Sequence, residues 1–169
     1  MDEWTAEAFD NTLRTNTWGA LDLAIALRAA LPDGLGHIVN VSSGYGKIQY
    51  CSPAYRKAIA GATTVAELKE AVRFNADDSR MSRVSVAPYK VSKAALNRGA
   101  QLLASEWATG ERPTRVNCVC PGWVRTRMGG SSASRSVEEG AGSVLATIRA
   151  GVDESGTGRF FRDGQELEW

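Results

Sequence analysis

Apolar side chains recur every three to four residues over residues 5–31, at Leu13, Trp18, Leu21, Ile25 and 27–30, a spacing that predicts one long helix. Pro32-Asp33-Gly34 supplies its stop. His37-Ile38-Val39-Asn40-Val41 has another rhythm. It is β-branched, does not alternate, and is bounded by Gly36 and Ser42-Ser43-Gly44, which predicts a buried strand of the parallel kind. Residues 45–87 are less regular. Within them Thr64-Val65-Ala66-Glu67 is a capping box that opens a helix to about Phe74, and 76–85 is polar and loop-like. Pro88 sits in the first turn of a second long helix, 88–108, which Gly110 and Pro113 end. Arg115-Val116-Asn117-Cys118-Val119-Cys120 reads as a second buried strand closed by Pro121-Gly122. After a Gly/Ser-rich loop at 129–135, Ser136-Val137-Glu138-Glu139 caps a third helix to about Ala150, and Gly158-Arg159-Phe160-Phe161 is a last short strand.

Helices and strands alternate, which means an α/β fold with a parallel sheet. No repeat and no linker divides 1–169, so a single domain is expected. With 43% hydrophobic and 23% charged residues, the 169-residue chain is neither disordered, collagen-like nor a coiled coil. A net charge of +1 gives no footprint for nucleic acid, and no apolar run approaches the roughly 20 residues of a membrane span. Met1-Asp2-Glu3-Trp4 opens no secretory signal. Cys51, Cys118 and Cys120 with the single His37 make neither a disulfide framework nor a metal set, so no metal is expected and the setting is cytoplasmic.

Four places carry candidate chemistry. Ser43 stands just past the C-terminal end of the first strand, where open α/β sheets bind ligands, although a lone Ser there also serves as a turn residue. Tyr89 and Lys93 are four apart on a helix and share a face. An ammonium one turn from a phenol favours the phenolate, which makes a usable general acid/base. Pro121-Gly122-Trp123-Val124-Arg125-Thr126 follows the second strand as a tight turn, able to present backbone groups and the Thr126 hydroxyl over the sheet edge or simply to end the strand. Asn16 lies mid-helix, where an Asn either faces solvent or has a polar partner, and on its own it reads as solvated.

Taken together, Ile38-Val39-Asn40-Val41-Ser42-Ser43, Tyr89-Lys90-Val91-Ser92-Lys93-Ala94-Ala95 and Arg115 through Thr126 resemble the short-chain dehydrogenase/reductase family, in order and in strand-end placement, over nearly the entire chain. Ser43 and Tyr89 are 46 positions apart (89 − 43), a long gap that resembles the monomeric carbonyl reductase subgroup and the plant menthone- and salutaridine-type reductases, which carry a helical insert there. The resemblance implies the C-terminal portion of a Rossmann-like doubly wound sheet, with strands equivalent to 5, 6 and 7 and an insert at about 45–87. It implies NAD(P)H-dependent reduction of a ketone, aldehyde or quinone, with NADP(H) in preference to NAD(H). By resemblance Tyr89 donates the proton, Ser43 binds the same oxygen, Lys93 lowers the Tyr89 pKa and holds the nicotinamide ribose, and the Asn16 backbone anchors a relay water. Pro121, Gly122, Val124 and Thr126 line the nicotinamide side.

The family's glycine-rich T-G-x-x-x-G-x-G turn and its Asn-Asn-Ala-Gly stretch do not occur in the sequence. The dinucleotide-binding half is thus expected to be missing and the chain to bind cofactor weakly, with no detectable turnover alone. The first strand is expected to have an open, apolar edge prone to self-association, whereas a full-length member of the subgroup would be a monomer. The alternative is a non-catalytic truncated paralogue that works by protein–protein association. The substrate is expected to be a small neutral carbonyl compound, because the loops 45–87 and 127–136 carry no charged cluster.

Overall fold

Thr5 opens the first helix: its hydroxyl accepts the Ala8 amide at 3.1 Å, satisfying one of the unpaired donors at the start of α1 (Ala6–Leu13). The computed structural model describes residues 5–31, 36–77, 87–109, 113–152 and 156–169. α1 does not run on as one α-helix through residue 31. Arg14–Trp18 form a π turn, in which the Gly19 amide reaches back to the Arg14 carbonyl, and α2 (Gly19–Arg28) follows. The added residue rotates α2 against α1, so the two present different faces to the core. Phe9 and Leu13 of α1 join one cluster, Leu21 and Ala24 of α2 another, and Trp18 borders both. Pro32-Asp33-Gly34 lies outside the described residues.

β1 (Gly36–Val41), β2 (Thr114–Val119), β3 (Phe160–Arg162) and β4 (Gln165–Leu167) form one sheet in the order β1-β2-β3-β4. β1 and β2 are parallel, with Gly36 opposite Thr114 and Val41 opposite Val119; β2 and β3 are parallel as well. β4 was not expected. It pairs antiparallel with β3 through a two-residue turn at Asp163-Gly164, both at positive φ (54° and 77°), a type I′ conformation that Asp-Gly favours. Trp169 then stacks on Phe160, ring centroids 5.5 Å apart.

Between β1 and β2 lie α3 (Pro53–Gly61), α4 (Val65–Ala71) and α5 (Ala87–Trp107). α3 replaces part of the irregular stretch, with Ser52 as its cap and Pro53 in its first turn. The Thr64 box closes as expected: the Thr64 hydroxyl accepts the Glu67 amide, while the Glu67 carboxylate takes the Thr63 amide and hydroxyl. These bonds hold its carboxyl below the ordinary range. α4 ends at Ala71, short of Phe74, and most of the polar stretch at 76–85 lies outside the described residues.

α2 and α5 cover one sheet face, where Leu21, Leu103 and Trp107 meet Val116, Cys118 and Phe160. Fully buried Phe160 contributes about 1.5–3 kcal/mol by leaving water. α6 (Val137–Val152) packs on the other face. Ser136 and Glu139 cap it reciprocally, at 3.1 and 2.6 Å. Helices on both faces make the sheet doubly wound. α1, α3 and α4 lie against α5 through Phe9, Tyr55, Ile59, Leu68 and Val91, which places the insert on that helix. β1 stands at the sheet margin, and Val41 there is 51% exposed. No described helix is long and apolar enough to cross a membrane, and no described cluster of His, Cys, Asp and Glu could hold a metal ion. All three cysteines are buried free thiols.

Candidate active site

The parallel register of β1 and β2 brings their C-terminal ends side by side, and the Ser42 amide extends the ladder to the Val119 carbonyl at 2.7 Å. Ser43 comes next. Its hydroxyl oxygen accepts the Tyr45 amide at 3.2 Å, so its own proton remains free to be donated elsewhere. The turn it caps is clamped to α5: Asn97 Nδ2 donates to the Gly46 carbonyl at 3.1 Å. A Cβ at Gly46 would lie 2.9 Å from Asn97 Nδ2 and 3.0 Å from the Lys93 carbonyl oxygen, so glycine allows this approach without a shift of either.

Tyr89 and Lys93 occupy the first two turns of α5, both half-buried. Lys93 Nζ lies 5.9 Å from the Tyr89 ring centroid and donates to the Val41 carbonyl at 2.9 Å, tying the helix to the strand end that carries Ser43. Burial holds the Lys93 pKa below its ordinary value. The neighbouring Cys118 thiol does not offset this by charge, because full burial pushes its own pKa up and keeps it neutral. The Tyr89 hydroxyl makes no hydrogen bond to a described residue.

Asn16 sits in the π turn. Its Nδ2 donates to Ser92 Oγ at 3.1 Å, Ser92 Oγ donates to the Tyr89 carbonyl at 2.8 Å, and Thr17 Oγ1 donates to the Ser92 carbonyl at 2.7 Å. Asn16, which on its own reads as solvated, has a polar partner instead, because the π turn brings it against Ser92 of α5. These bonds fasten the first helical segment to α5 between Tyr89 and Lys93.

The loop after β2 keeps a fixed shape. Gly122 has φ +83°, and a Cβ there would meet Arg135 Cδ at 2.4 Å. Trp123 and Arg125 pair with the Arg135 backbone at 3.0 and 2.8 Å. Pro121 and Val124 are half-buried. Thr126 is exposed, and its hydroxyl is engaged within its own turn, accepting the Gly129 amide at 3.2 Å. The structure therefore gathers Ser43, Tyr89, Lys93 and, through Ser92, Asn16, with the 121–126 loop leaving the adjacent strand.

Three polar residues escaped sequence reasoning. Asn40 in β1 and Ser42 just past its end, two apart on an extended stretch, are buried, with Asn40 Nδ2 and Ser42 Oγ lacking a hydrogen-bond partner among the described residues. Polar residues inside an apolar run were the available signal. Arg162, at the end of β3, donates from Nη2 to Cys120 Sγ at 2.9 Å, and nothing local in the sequence placed it there.

A doubly wound α/β sheet with a Ser, a Tyr and a Lys gathered at its C-terminal edge defines the class as a Rossmann-like fold. A family profile described as enoyl-(acyl carrier protein) reductase matches residues 60–152. The chain belongs to the short-chain dehydrogenase/reductase family. It is 31% identical over 170 residues to the NADPH carbonyl reductase 1 of Oryctolagus cuniculus, covering 94% of this chain and 61% of that protein. With salutaridine reductase of Papaver bracteatum it shares 30% over 174 residues, covering 96% and 54%. The solved salutaridine reductase of Papaver somniferum superposes with a TM-score of 0.67 at 27% identity, over 93% of this chain and 55% of that one. The chain thus spans some 54–61% of the length of these curated relatives.

Proposed function

We propose that this chain carries the catalytic residues of an NADPH-dependent carbonyl reductase, which converts a small carbonyl compound to an alcohol. The observation that carries this reading is the Lys93 bridge. One ammonium on α5 binds the end of β1 at Val41, one turn from Tyr89 and two residues from Ser43.

The donor set fits a nicotinamide nucleoside. Lys93 spends one N–H on Val41 and keeps two for ribose hydroxyls, and the 121–126 loop (Pro121, Gly122, Val124, Thr126) offers a preformed wall for the nicotinamide. NADPH, when bound, supplies the hydride. The NADPH in the name of the rabbit relative supports this cofactor over NADH. Tyr89 gives its phenolic proton to the carbonyl oxygen, and Ser43, accepting from Tyr45, directs its own proton to the same atom. The Lys93 ammonium stands beside the phenol that gives up its proton. Asn16 acts as a positioning residue: through Ser92 it fixes the turn of α5 that sets Tyr89 against Lys93.

Phosphate affinity in this class comes from a glycine-rich turn, and no such sequence occurs in the 169 residues. The chain alone is therefore expected to hold NADPH weakly. The test joins to it the segment of the rabbit carbonyl reductase that it does not match and follows NADPH oxidation with a quinone. The chimera is expected to turn over, and Tyr89→Phe to lower kcat by about 10²–10⁴-fold. An active Tyr89→Phe chimera would sink the assignment.

A second reading, association without catalysis, is favoured by one observation: β1 ends the described sheet with an open ladder and an exposed Val41. The chimera separates the two: under the first reading it turns over, and an inert chimera beside a self-associating or partner-binding chain supports the second.

A further inference from the structure

We infer that Asn97, on α5, is the positioning residue for Ser43: its side chain fixes the turn that sets where the Ser43 hydroxyl meets the carbonyl oxygen. This deepens the reductase reading and rests on it.

Tyr89, Lys93 and Asn97 are spaced four apart on α5, so they form one stripe along the helix. The stripe meets the chain on both sides of Ser43. Lys93 Nζ donates to the Val41 carbonyl, two residues before it, at 2.9 Å. Asn97 Nδ2 donates to the Gly46 carbonyl, three residues after it, at 3.1 Å. The stretch from Ser43 to Gly46 is a short 3-10 turn, Gly44–Gly46, capped by Ser43 itself. Within it the Gly46 amide donates to the Ser43 carbonyl at 2.8 Å, and the Tyr45 amide to Ser43 Oγ at 3.2 Å. Asn97 thus holds one end of a turn whose other end is the Ser43 hydroxyl. The helix that carries the proton donor also sets the place of the second group on the same oxygen.

Packing does not account for this residue. Asn97 is 2% exposed, and its Oδ1 is buried with no hydrogen-bond partner among the described residues, which opposes folding. An apolar side chain would fill the position without that penalty, but it would lack the donor for Gly46. Lys93 cannot stand in, because it fixes only the strand side of Ser43. The turn beyond has glycine at two of its three positions, Gly44 and Gly46, and so has little backbone restraint of its own.

Two measurements test the assignment, one on the chain and one on the chimera. In the 169-residue chain, amide hydrogen exchange followed by NMR compares Tyr45 and Gly46, which bond to Ser43, with Ser42, whose amide extends the sheet ladder. In N97A the Tyr45 and Gly46 amides are expected to gain about tenfold or more in exchange rate over Ser42. N97L, which keeps the position filled, is expected to show the same pattern and serves where N97A unfolds. Equal acceleration at all three amides in N97L, or none, overturns the assignment. In the chimera a double-mutant cycle reads kcat. N97L is expected to lower kcat about tenfold or more, with KM for NADPH unchanged. Where Ser43 is already alanine, it is expected to lower kcat less than about twofold further. Equal fold losses in the two backgrounds overturn the assignment, because a residue that only stabilises the fold acts whether or not the Ser43 hydroxyl is present. An inert chimera sinks the reductase reading and leaves Asn97 to the exchange measurement. An active chimera with independent losses sinks only the role of Asn97.

Discussion

Gly99→Ala and Gly142→Ala are chemically the same change, and they are expected to move stability in opposite directions. Each replaces a glycine inside a helix, which by propensity alone favours folding by about 1 kcal/mol. In α6 a Cβ at exposed Gly142 would meet nothing within 4 Å, so that gain stands. In α5 a Cβ at buried Gly99 would lie 2.3 Å from Leu21 Cδ1, 3.0 Å from Cδ2 and 3.2 Å from Cγ. Leu21 is 0% exposed, so its side chain has to shift within a close-packed core. Overpacking of this kind costs about 1–3 kcal/mol, which offsets the propensity gain and leaves a net loss centred near 1 kcal/mol. For a chain of this size that corresponds to a Tm lower by about 2–4 °C, against a rise of about 2–4 °C for Gly142→Ala. Thermal denaturation followed by circular dichroism reads both. Leu21→Ala supplies the internal check: combined with Gly99→Ala it should cost less than the sum of the two single changes by about 1–3 kcal/mol. If Gly99→Ala raises Tm as Gly142→Ala does, α2 and α5 do not approach as closely as described, and the Asn16–Ser92 link from the π turn ahead of α2 falls with that approach.

Two further outcomes follow from named contacts. Ser92→Ala leaves the half-buried Asn16 amide without its acceptor and is expected to cost about 1–3 kcal/mol, read as a lower denaturant midpoint at constant m; an unchanged midpoint would show that the link is not formed. Asp163 is held below its ordinary pKa of 3.8, chiefly by its hydrogen bonds from Arg135, so the pair contributes stability above that pKa and loses it as pH falls through the depressed value. Its side chain is 49% exposed and screened by solvent, which limits the contribution to no more than about 1 kcal/mol. Asp163→Asn, which tolerates the positive φ, should therefore differ from the parent at pH 7 and converge with it as pH falls below 3.8 through the depressed value. A gap that stays constant down to the acid unfolding limit would contradict the ion pair.

Elements specified by local chemistry were readable from the sequence. The capping boxes at Thr64 and Ser136, the Pro88 start of α5 and the β-branched runs of β1 and β2 each contain their own signal, and the structure agrees to within a few residues. Two misses had signals that were passed over: Ser52-Pro53 before α3, and Asp163-Gly164 between β3 and β4. The π turn had none. Apolar spacing of three to four tolerates one inserted residue, so the pattern over 5–31 could not separate a continuous helix from two segments facing different clusters. For the site, Tyr89 and Lys93 were legible because helical spacing alone puts them together, and Ser43 because a strand end locates it. Arg162 was not, since its approach to Gly44 and Cys120 depends on the pairing of three strands far apart in the chain.

The most direct measurement is the fate of a deuterium label. With NADPH deuterated at the transferring C4 position and a carbonyl acceptor, the chimera bearing this chain is expected to give an alcohol with deuterium on its carbinol carbon, and its Tyr89→Phe variant to give almost none. Alcohol that forms without deuterium, or labelled alcohol from the Tyr89→Phe variant at the parent's rate, would contradict the assignment of Ser43, Tyr89 and Lys93 as the machinery of carbonyl reduction.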